Sequence, residues 1–367
     1  MDKCRILIVN DSPVACAIIR AILETDPIYK IVGEAPTGKD AVRIMDALRP
    51  DIVLMDIHMP EMNGVEATRR IMANHKTSVL VTSATINRNL SYIFEAQAAG
   101  AIDFIHTPTL LRRPGSKISE SELKRAGRSL LYKLRGIQKM RKKAKESLEA
   151  KLPAKRALNA EHIDMPHLPK RPQAAYGKPI IAIGASTGGP STIVELLSGL
   201  MQPCPVPILV ILHIDEHFSA GFASWLQDQT GFRCNLIRRV TSVRPGEVYV
   251  APGGDNNMVF TSAGAVRLEP SAEDEIHVPN IDALFSSLAK YQAASTCSVV
   301  LTGMGRDGAK GSLKIHEGGG TALSQAPETA TIPSMPQAVV DEGATVRGLP
   351  IVTLSAYLNT WARHMSR

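Results

Sequence analysis

The sequence predicts two α/β domains joined by a basic segment, and two observations favour this fold class. Short apolar runs rich in β-branched residues alternate with longer amphipathic stretches in both halves of the chain, a pattern typical of parallel sheets covered by helices. The chain has 367 residues, 44% hydrophobic and 21% charged, which is enough for two domains that each bury a core. We expect a five-stranded doubly wound parallel sheet in the first domain and a doubly wound, mainly parallel sheet in the second.

The first hundred residues contain strand and helix units in succession. Cys4 to Val9 is predicted to be a strand that ends in the polar turn Asn10-Asp11-Ser12-Pro13, and an amphipathic helix follows. Further strands are predicted near Ile28–Val32, Ile52–Met55, Val79–Val81 and Ile102–Ile105, with helices that begin near Gly38, Gly64 and Arg88.

Two carboxylates stand at the predicted carboxyl ends of neighbouring strands. In a doubly wound sheet the chemistry gathers at these ends, where Asp11 and Asp56 could hold a hard divalent cation such as Mg²⁺ through oxygen ligands. The alternative is structural: Asp11 caps a helix and Asp56 opens a turn. These two residues alone do not decide between the alternatives.

The arrangement of the first hundred residues resembles the response-regulator receiver domain, which has a flavodoxin-like fold. The segments Asp56-Ile-His-Met-Pro-Glu-Met-Asn-Gly64 and Gly100-Ala-Ile-Asp-Phe104 carry the resemblance. It implies that Asp56 accepts a phosphoryl group from a histidine kinase, and that Asp11, Asp56 and the carbonyl of His58 bind Mg²⁺. Thr82 occupies the position of the switch hydroxyl.

Two positions depart from the receiver pattern. Receivers usually have an acidic pair where this chain has Asn10-Asp11, and a lysine where it has Thr107. Because that lysine normally pairs with the phosphoryl group, we expect phosphorylation at Asp56 with weaker coupling to the rest of the molecule.

The middle of the chain is basic. Residues 112–178 contain 19 Lys and Arg against 6 Asp and Glu, so this segment carries +13 while the remainder carries −6 of the total +7. Ser119-Glu-Ser-Glu122 is a capping box, and the apolar spacing after it predicts a helix that continues into the basic stretch Lys139–Lys145. Beyond Leu152, prolines and polar residues indicate a linker. A nucleic-acid or membrane-surface role is the alternative, but the stretch lacks interleaved aromatic residues.

Other features exclude several classes of protein. The five cysteines have no C-x-x-C spacing, so neither a zinc site nor a disulfide framework is indicated. The N-terminal apolar run is too short for a signal peptide, and no run of about 18 apolar residues occurs. We expect a cytoplasmic protein without membrane insertion.

Ser186 lies in a glycine-rich segment, Lys178-Pro-Ile-Ile-Ala-Ile-Gly-Ala-Ser-Thr-Gly-Gly-Pro190. The apolar run Ile180–Ile183 predicts a buried strand, and the pattern G-x-S-x-G predicts a sharp turn into a helix, with the serine hydroxyl beside helix N–H groups. Such a serine can be a nucleophile. An anion site or a plain turn would have the same local pattern.

A histidine and an aspartate follow two later predicted strands. The strand Pro207–Leu212 ends at His213, and the strand Ser298–Leu301 ends in a glycine-rich loop that contains Asp307. The other predicted elements here are a helix over Ser191–Leu200, a strand within Pro245–Gly254, a hairpin over Val259–Leu268 and a helix over Asp282–Tyr291. A lone histidine is more often structural, but Ser, His and Asp at the carboxyl ends of three parallel strands form a constellation in which the histidine could act as a base and the aspartate could orient it.

Residues 178–357 resemble the catalytic domain of chemotaxis protein-glutamate methylesterases, the CheB family. The matching segments are Gly184-Ala-Ser-Thr-Gly-Gly189, Ala251-Pro-Gly-Gly254, Leu301-Thr-Gly-Met-Gly-Arg-Asp-Gly308 and Ser334-Met-Pro336. The resemblance implies that Ser186 is the nucleophile, His213 the general base and Asp307 the orienting acid, with Thr187 and Met304 near the oxyanion. It also implies hydrolysis of glutamate γ-methyl esters on chemoreceptors without a cofactor, and deamidation of receptor glutamines in some members.

The second half also departs from its family pattern, at three positions near the expected site. Ile214-Asp215 replaces Met-Pro, Asn256-Asn257 replaces a histidine-containing loop, and Ser334 replaces glycine. These changes bear on substrate preference more than on chemistry. In having Asn10 and Thr107, the chain is similar to a subclass of the family that is associated with surface sensing.

We therefore predict a receiver domain over residues 1–118, a basic helical segment and linker over 119–177 and a methylesterase domain over 178–367. Two other classes of function remain as alternatives. One is a response regulator with a non-catalytic binding scaffold, which the complete set of Ser, His and Asp disfavours. The other is a DNA-binding regulator, which the missing helix-turn-helix domain disfavours.

Overall fold

The structure is a computed structural model that describes residues 3–84, 90–110, 119–149, 167–169, 177–272, 275 and 278–366. The chain divides into two compact units, Met1–Glu161 and His162–Arg367. Within the described residues, no helix combines the length and the apolar character needed to cross a membrane. The five cysteines are free thiols.

The first unit is built on a five-stranded parallel sheet with the strand order β2-β1-β3-β4-β5. The strands are β1 (Cys4–Val9), β2 (Tyr29–Ala35), β3 (Ile52–Asp56), β4 (Ser78–Ser83) and β5 (Asp103–His106). The helices between them are α1 (Pro13–Glu24), α2 (Gly38–Leu48), α3 (Gly64–Asn74) and α4 (Leu90–Ala98). The predicted doubly wound sheet is confirmed. The predicted helix start near Arg88 lies outside the described residues.

Two helices complete the first unit, α5 (Glu120–Ala126) and α6 (Arg128–Glu149). The capping box predicted at Ser119 and Glu122 is present. The helical conformation is interrupted at Gly127, between α5 and α6. A Cβ atom at this position would overlap the side chain of Ile22 on α1. Apolar residues of α6 are buried in the same core as the sheet, and they are Leu130, Leu131, Leu134 and Ile137.

The second unit contains a six-stranded parallel sheet and a three-stranded antiparallel sheet. The parallel order is β14-β13-β6-β7-β10-β8, formed by β6 (Ile180–Ala185), β7 (Ile208–Leu212), β8 (Arg233–Leu236), β10 (Glu247–Val250), β13 (Thr296–Val300) and β14 (Thr321–Ser324). The antiparallel sheet contains β9 (Thr241–Ser242), β11 (Asn256–Phe260) and β12 (Ala265–Pro270). The predicted mainly parallel sheet is confirmed, and β11 and β12 form the predicted hairpin.

The helices of the second unit pack on its parallel sheet and on one another. They are α7 (Gly189–Ser198), α8 (Glu216–Thr230), α9 (Ile281–Gln292), α10 (Ala309–Glu317), α11 (Ser334–Asp341) and α12 (Ile351–Ser366). Strand β6 lies between β13 and β7, so the carboxyl ends of these three strands meet at one edge of the sheet. That edge positions the candidate site.

Candidate active site

Ser186 lies at a strand-to-helix turn, as the G-x-S-x-G pattern predicts. Its N–H donates to the carbonyl of Thr302 (3.0 Å), and its carbonyl accepts from Gly189 N (2.7 Å). Gly188 caps α7 in the left-handed region with φ of 76°, a conformation that glycine adopts without a Cβ penalty. The serine is 4% exposed. The tight turn places it at the N-terminus of α7.

His213 follows β7, and its backbone is attached to the serine turn. Its N–H donates to the carbonyl of Ala185, the residue before Ser186, at 3.1 Å. In its side chain, Nε2 lies 2.8 Å from Oδ2 of Asp307. A carboxylate can only accept a hydrogen bond, so Nε2 carries the proton and Nδ1 is the basic nitrogen. The structure therefore brings the predicted histidine and aspartate into direct contact.

Asp307 is held by three hydrogen-bond donors. Besides His213, the N–H groups of Ile281 and Asp282 at the start of α9 donate to its two oxygens, each at 2.8 Å. Burial alone would raise the pKa of this carboxyl, but the hydrogen bond and charge of His213 and the two backbone donors outweigh it and keep the pKa below its ordinary value. Asp307 is thus an anion fixed in one orientation.

The loop between β13 and α10 approaches the serine closely. A Cβ atom at Gly303 would lie 2.8 Å from Cβ of Ser186 and would overlap Met335, so only glycine fits there. Two further contacts hold this loop: Thr302 Oγ1 donates to the carbonyl of Thr187 (2.9 Å), and Ser334 Oγ accepts from Gly305 N (3.2 Å). Thr187 and Met304, predicted near the oxyanion, lie on these two neighbouring loops.

A second site lies at the carboxyl edge of the first unit. Asp56 ends β3 and is 8% exposed, and its Oδ1 accepts from Ile57 N at 2.9 Å. Burial raises the pKa of Asp56 to about 7, and the negative charge of Asp11 adds to that rise, while backbone donors from Ile57 and His58 oppose it. The structure thus brings the predicted carboxylates near each other.

This donor set fits a hard divalent cation. Two neighbouring carboxylates offer oxygen ligands, and their mutual repulsion is what a cation would relieve. Within the described residues no group of three His, Cys, Asp or Glu side chains forms a separate metal centre.

Two buried threonines lie at the same carboxyl edge of the sheet as Asp56. Thr82 pairs with Asp56 across β3 and β4, and Thr107 follows β5 and donates its N–H to Ser83 O at 3.0 Å. Their hydroxyls have no hydrogen-bond partner among the described residues. At the neighbouring strand end, Asn10 accepts from Ser12 N at 2.8 Å, so its side chain supports the loop that carries Asp11.

Comparison with known proteins gives two matches along the chain. Residues 6–113 match the model of the response regulator receiver domain, and residues 181–358 match that of the CheB methylesterase. A protein-glutamate methylesterase/protein-glutamine glutaminase from Cupriavidus metallidurans is 35% identical over 96% of this chain and 97% of its own length. A second, from Cupriavidus pinatubonensis, is 32% identical over 96% and 95%. The chain belongs to the CheB methylesterase family.

A solved structure of the CheB methylesterase catalytic domain from Thermotoga maritima is also similar. It has 31% sequence identity and a TM-score of 0.48, and the match covers 50% of this chain and 98% of that one.

The residues that depart from the pattern of the CheB methylesterase family take part in local contacts. Asp215 caps α8 by accepting from His217 N (3.0 Å), and Asn257 Oδ1 accepts from Asn280 N (2.7 Å) next to the start of α9. Ser334 Oγ also donates to Gly303 O at 3.0 Å, so its hydroxyl bonds the residues on both sides of Met304.

A second carboxylate, that of Asp282, lies beside Asp307 and was not expected from the sequence. Asp282 was predicted only as the start of a helix, yet it bonds both to Asp307 and to the N-terminus of α10. No motif marks this residue. Its only signal in the sequence is an aspartate in the first turn of a predicted helix, which is commonly a capping residue.

Proposed function

We propose that this chain is a phosphorylation-regulated hydrolase that removes methyl groups from glutamate γ-methyl esters of chemoreceptors. The observation that carries the proposal is the bond between His213 and Asp307 next to the turn that holds Ser186. Membership of the CheB methylesterase family supports the reaction class. We also propose deamidation of receptor glutamines by the same route, because the relatives are named as glutaminases as well.

In this proposal Ser186 is the nucleophile and His213 the general base. Nδ1 of His213 takes the hydroxyl proton as Ser186 Oγ attacks the ester carbonyl, and the imidazolium returns the proton to the departing methanol. Water then attacks the acyl-enzyme and gives its proton to Nδ1. This step releases the free glutamate and restores the serine hydroxyl. Each proton is returned within the cycle, and we propose that hydrolysis needs no cofactor.

Asp307 has two roles in this cycle. It fixes the tautomer in which Nε2 is protonated, and its negative charge stabilises the imidazolium that forms in both steps. We assign the oxyanion to the region of Thr187 and Met304, where the N-terminus of α7 and the glycine-rich loop offer backbone N–H groups.

The receiver site would regulate this activity. We propose that Asp56 accepts the phosphoryl group from a chemotaxis histidine kinase, with Asp11, Asp56 and the carbonyl of His58 as the Mg²⁺ ligands and Thr82 as the switch hydroxyl. When bound, Mg²⁺ would neutralise charge between the carboxylates and the incoming phosphoryl group. The predicted limits at residues 118 and 177 stay predictions, as do the cytoplasmic location, the surface-sensing subclass and the absence of specific nucleic-acid binding.

The test is release of methanol from methylated receptor by the full chain. We expect Ser186→Ala and His213→Ala each to lower turnover by about 10³–10⁶-fold, and Asp307→Ala to lower it less. Ser191→Ala, in the first turns of α7 after the serine, is a matched control that should keep most of the activity. If Ser186→Ala retained most of its activity, or the wild type showed no turnover, a binding scaffold would be the better assignment.

A further inference from the structure

Two carboxylates hold the N-termini of α9 and α10 in a reciprocal arrangement. Asp307, just before α10, accepts from the first N–H groups of α9. Asp282, in the first turn of α9, accepts in return from Gly311 N of α10 at 2.6 Å, and Gly308 N also donates to it. Gly308 caps α10 without a side chain, so Asp282 supplies the missing cap from the neighbouring helix.

This contact leaves little freedom to either helix. A Cβ atom at Gly311 would overlap Phe285 of α9 and would lie 3.1 Å from Oδ1 of Asp282. Gly308 directly follows Asp307, so the carboxylate of Asp282 bonds the peptide group next to the residue that orients His213. A shift of Asp282 would therefore move Asp307.

We propose that Asp282 is a positioning residue for ester hydrolysis: its carboxylate holds the start of α10 and so fixes the loop that carries Asp307. This inference rests on the proposed function, because it assigns Asp282 to the same Ser-His-Asp site.

Few charged groups among the described residues face Asp282. Asp307 lies on the loop opposite and Lys310 on α10, while His213 is reached through Asp307. Burial raises the pKa of Asp282 to about 6, and Asp307 adds to the rise. Asp282 is therefore ionised above pH 7, where its carboxylate accepts from the N-terminus of α10, and it loses this charge below about pH 6.

The experiment measures methanol release by the full chain as a function of pH, with Asp282→Asn and Asp282→Glu. We expect Asp282→Asn to lower kcat about tenfold or more, with KM changed less than about twofold, since misplacing a group by 1 Å can cost 10²-fold in rate. The acid limb of its kcat/KM profile should move to lower pH, because a carboxylate that loses its charge near pH 6 is gone. Asp282→Glu keeps the charge and lengthens the side chain, so it should lower kcat without moving the limb.

Asp228→Asn is the matched control, since it removes an exposed carboxylate from α8 and should leave rate and profile unchanged. An Asp282→Asn variant with wild-type kcat, or with an unmoved acid limb, would overturn the inference. If that variant folds poorly, Asp282→Glu is the deciding variant. A wild-type kcat in Asp282→Glu would show that Asp282 is not a positioning residue. Full activity of Ser186→Ala in the same assay would instead reject the proposed function.

Discussion

At the scale of single residues, the orientation of one imidazole determines what the site can do. Asp307 accepts from His213 Nε2 and from two backbone N–H groups, so it cannot turn away from the ring without breaking three bonds. The basic nitrogen is consequently Nδ1, on the other side of the ring. The backbone N–H groups at the start of α9 bond this acid directly.

The pKa of Asp282 gives a prediction about stability. Its value is 3.8 in an ordinary environment and about 6 in the fold, so the folded protein binds a proton between these pH values that the unfolded chain has lost. This group therefore makes the folded state less stable as the pH rises from 4 to 7. Asn cannot bind this proton. The free energy of unfolding of Asp282→Asn, relative to that of the wild type, should therefore rise by about 1–3 kcal/mol between pH 4 and pH 7.

Tryptophan fluorescence measures this, because both tryptophans, Trp225 and Trp361, lie in the second unit. Urea unfolding at pH 4.5 and pH 8 gives the difference in the free energy of unfolding between variant and wild type. For the control Asp228→Asn, this difference should not change with pH. A variant that loses stability equally at both pH values would show that Asp282 is ionised throughout this range.

At the scale of elements, α6 shows how a basic segment can belong to a folded unit. Three of its cations pair with acids of the first unit: Lys133 with Asp103 at 2.7 Å, Arg135 with Asp26 at 2.9 Å and Arg141 with Asp51 at 3.3 Å. The side chains of Lys133 and Asp103 are 13% and 3% exposed. Part of the basic charge is therefore used within the protein, and less of it remains for a polyanion.

We predict that Lys133→Met destabilises the first unit by about 3 kcal/mol, because it leaves Asp103 as a buried charge without its cation while keeping the aliphatic stem. Circular dichroism should show an earlier unfolding transition that tryptophan fluorescence does not follow. Lys139→Met, at an exposed position of the same helix, should change stability by less than about 0.5 kcal/mol. Equal effects of the two variants would show that the pair with Asp103 contributes nothing.

The elements also show what a sequence can predict. The strands β6 and β7 are continuous apolar runs, and β1 and β3 are apolar apart from Arg5 and Asp56, so the position and burial of these strands follow from the pattern alone. The break at Gly127 depends on the approach of α1, and the cap of α10 depends on a carboxylate from α9; both are tertiary contacts without local pattern. The placement of Ser186, His213 and Asp307 at the ends of three strands could be predicted from the sequence pattern, and the contact between Asp282 and α10 could not.

At the scale of the whole molecule, the chain combines two sites of the same architectural type. Each lies at the carboxyl edge of a parallel sheet, in a separate unit. Regulation then requires that phosphorylation at Asp56 changes the free energy of the catalytic unit, and such coupling energies are typically 1–3 kcal/mol. The contacts made by the phosphoryl group in the receiver therefore limit the size of the response.

We predict that Thr107 sets this limit. It is 3% exposed, and its hydroxyl has no partner among the described residues, so it can donate one neutral hydrogen bond but brings no positive charge. A charge-assisted bond from lysine would be worth about 1.5–3 kcal/mol, which is comparable with the whole coupling energy. We expect phosphorylation to increase methanol release modestly in the wild type and about 5–10-fold more in Thr107→Lys.

The measurement compares turnover with and without kinase and ATP. Thr107→Met matches the size of lysine without its charge and should respond like the wild type, and Asp56→Ala should not respond. Equal activation of the wild type and Thr107→Lys would show that the cation at this position does not limit switching, and that the coupling is carried by Thr82 and the helices around it.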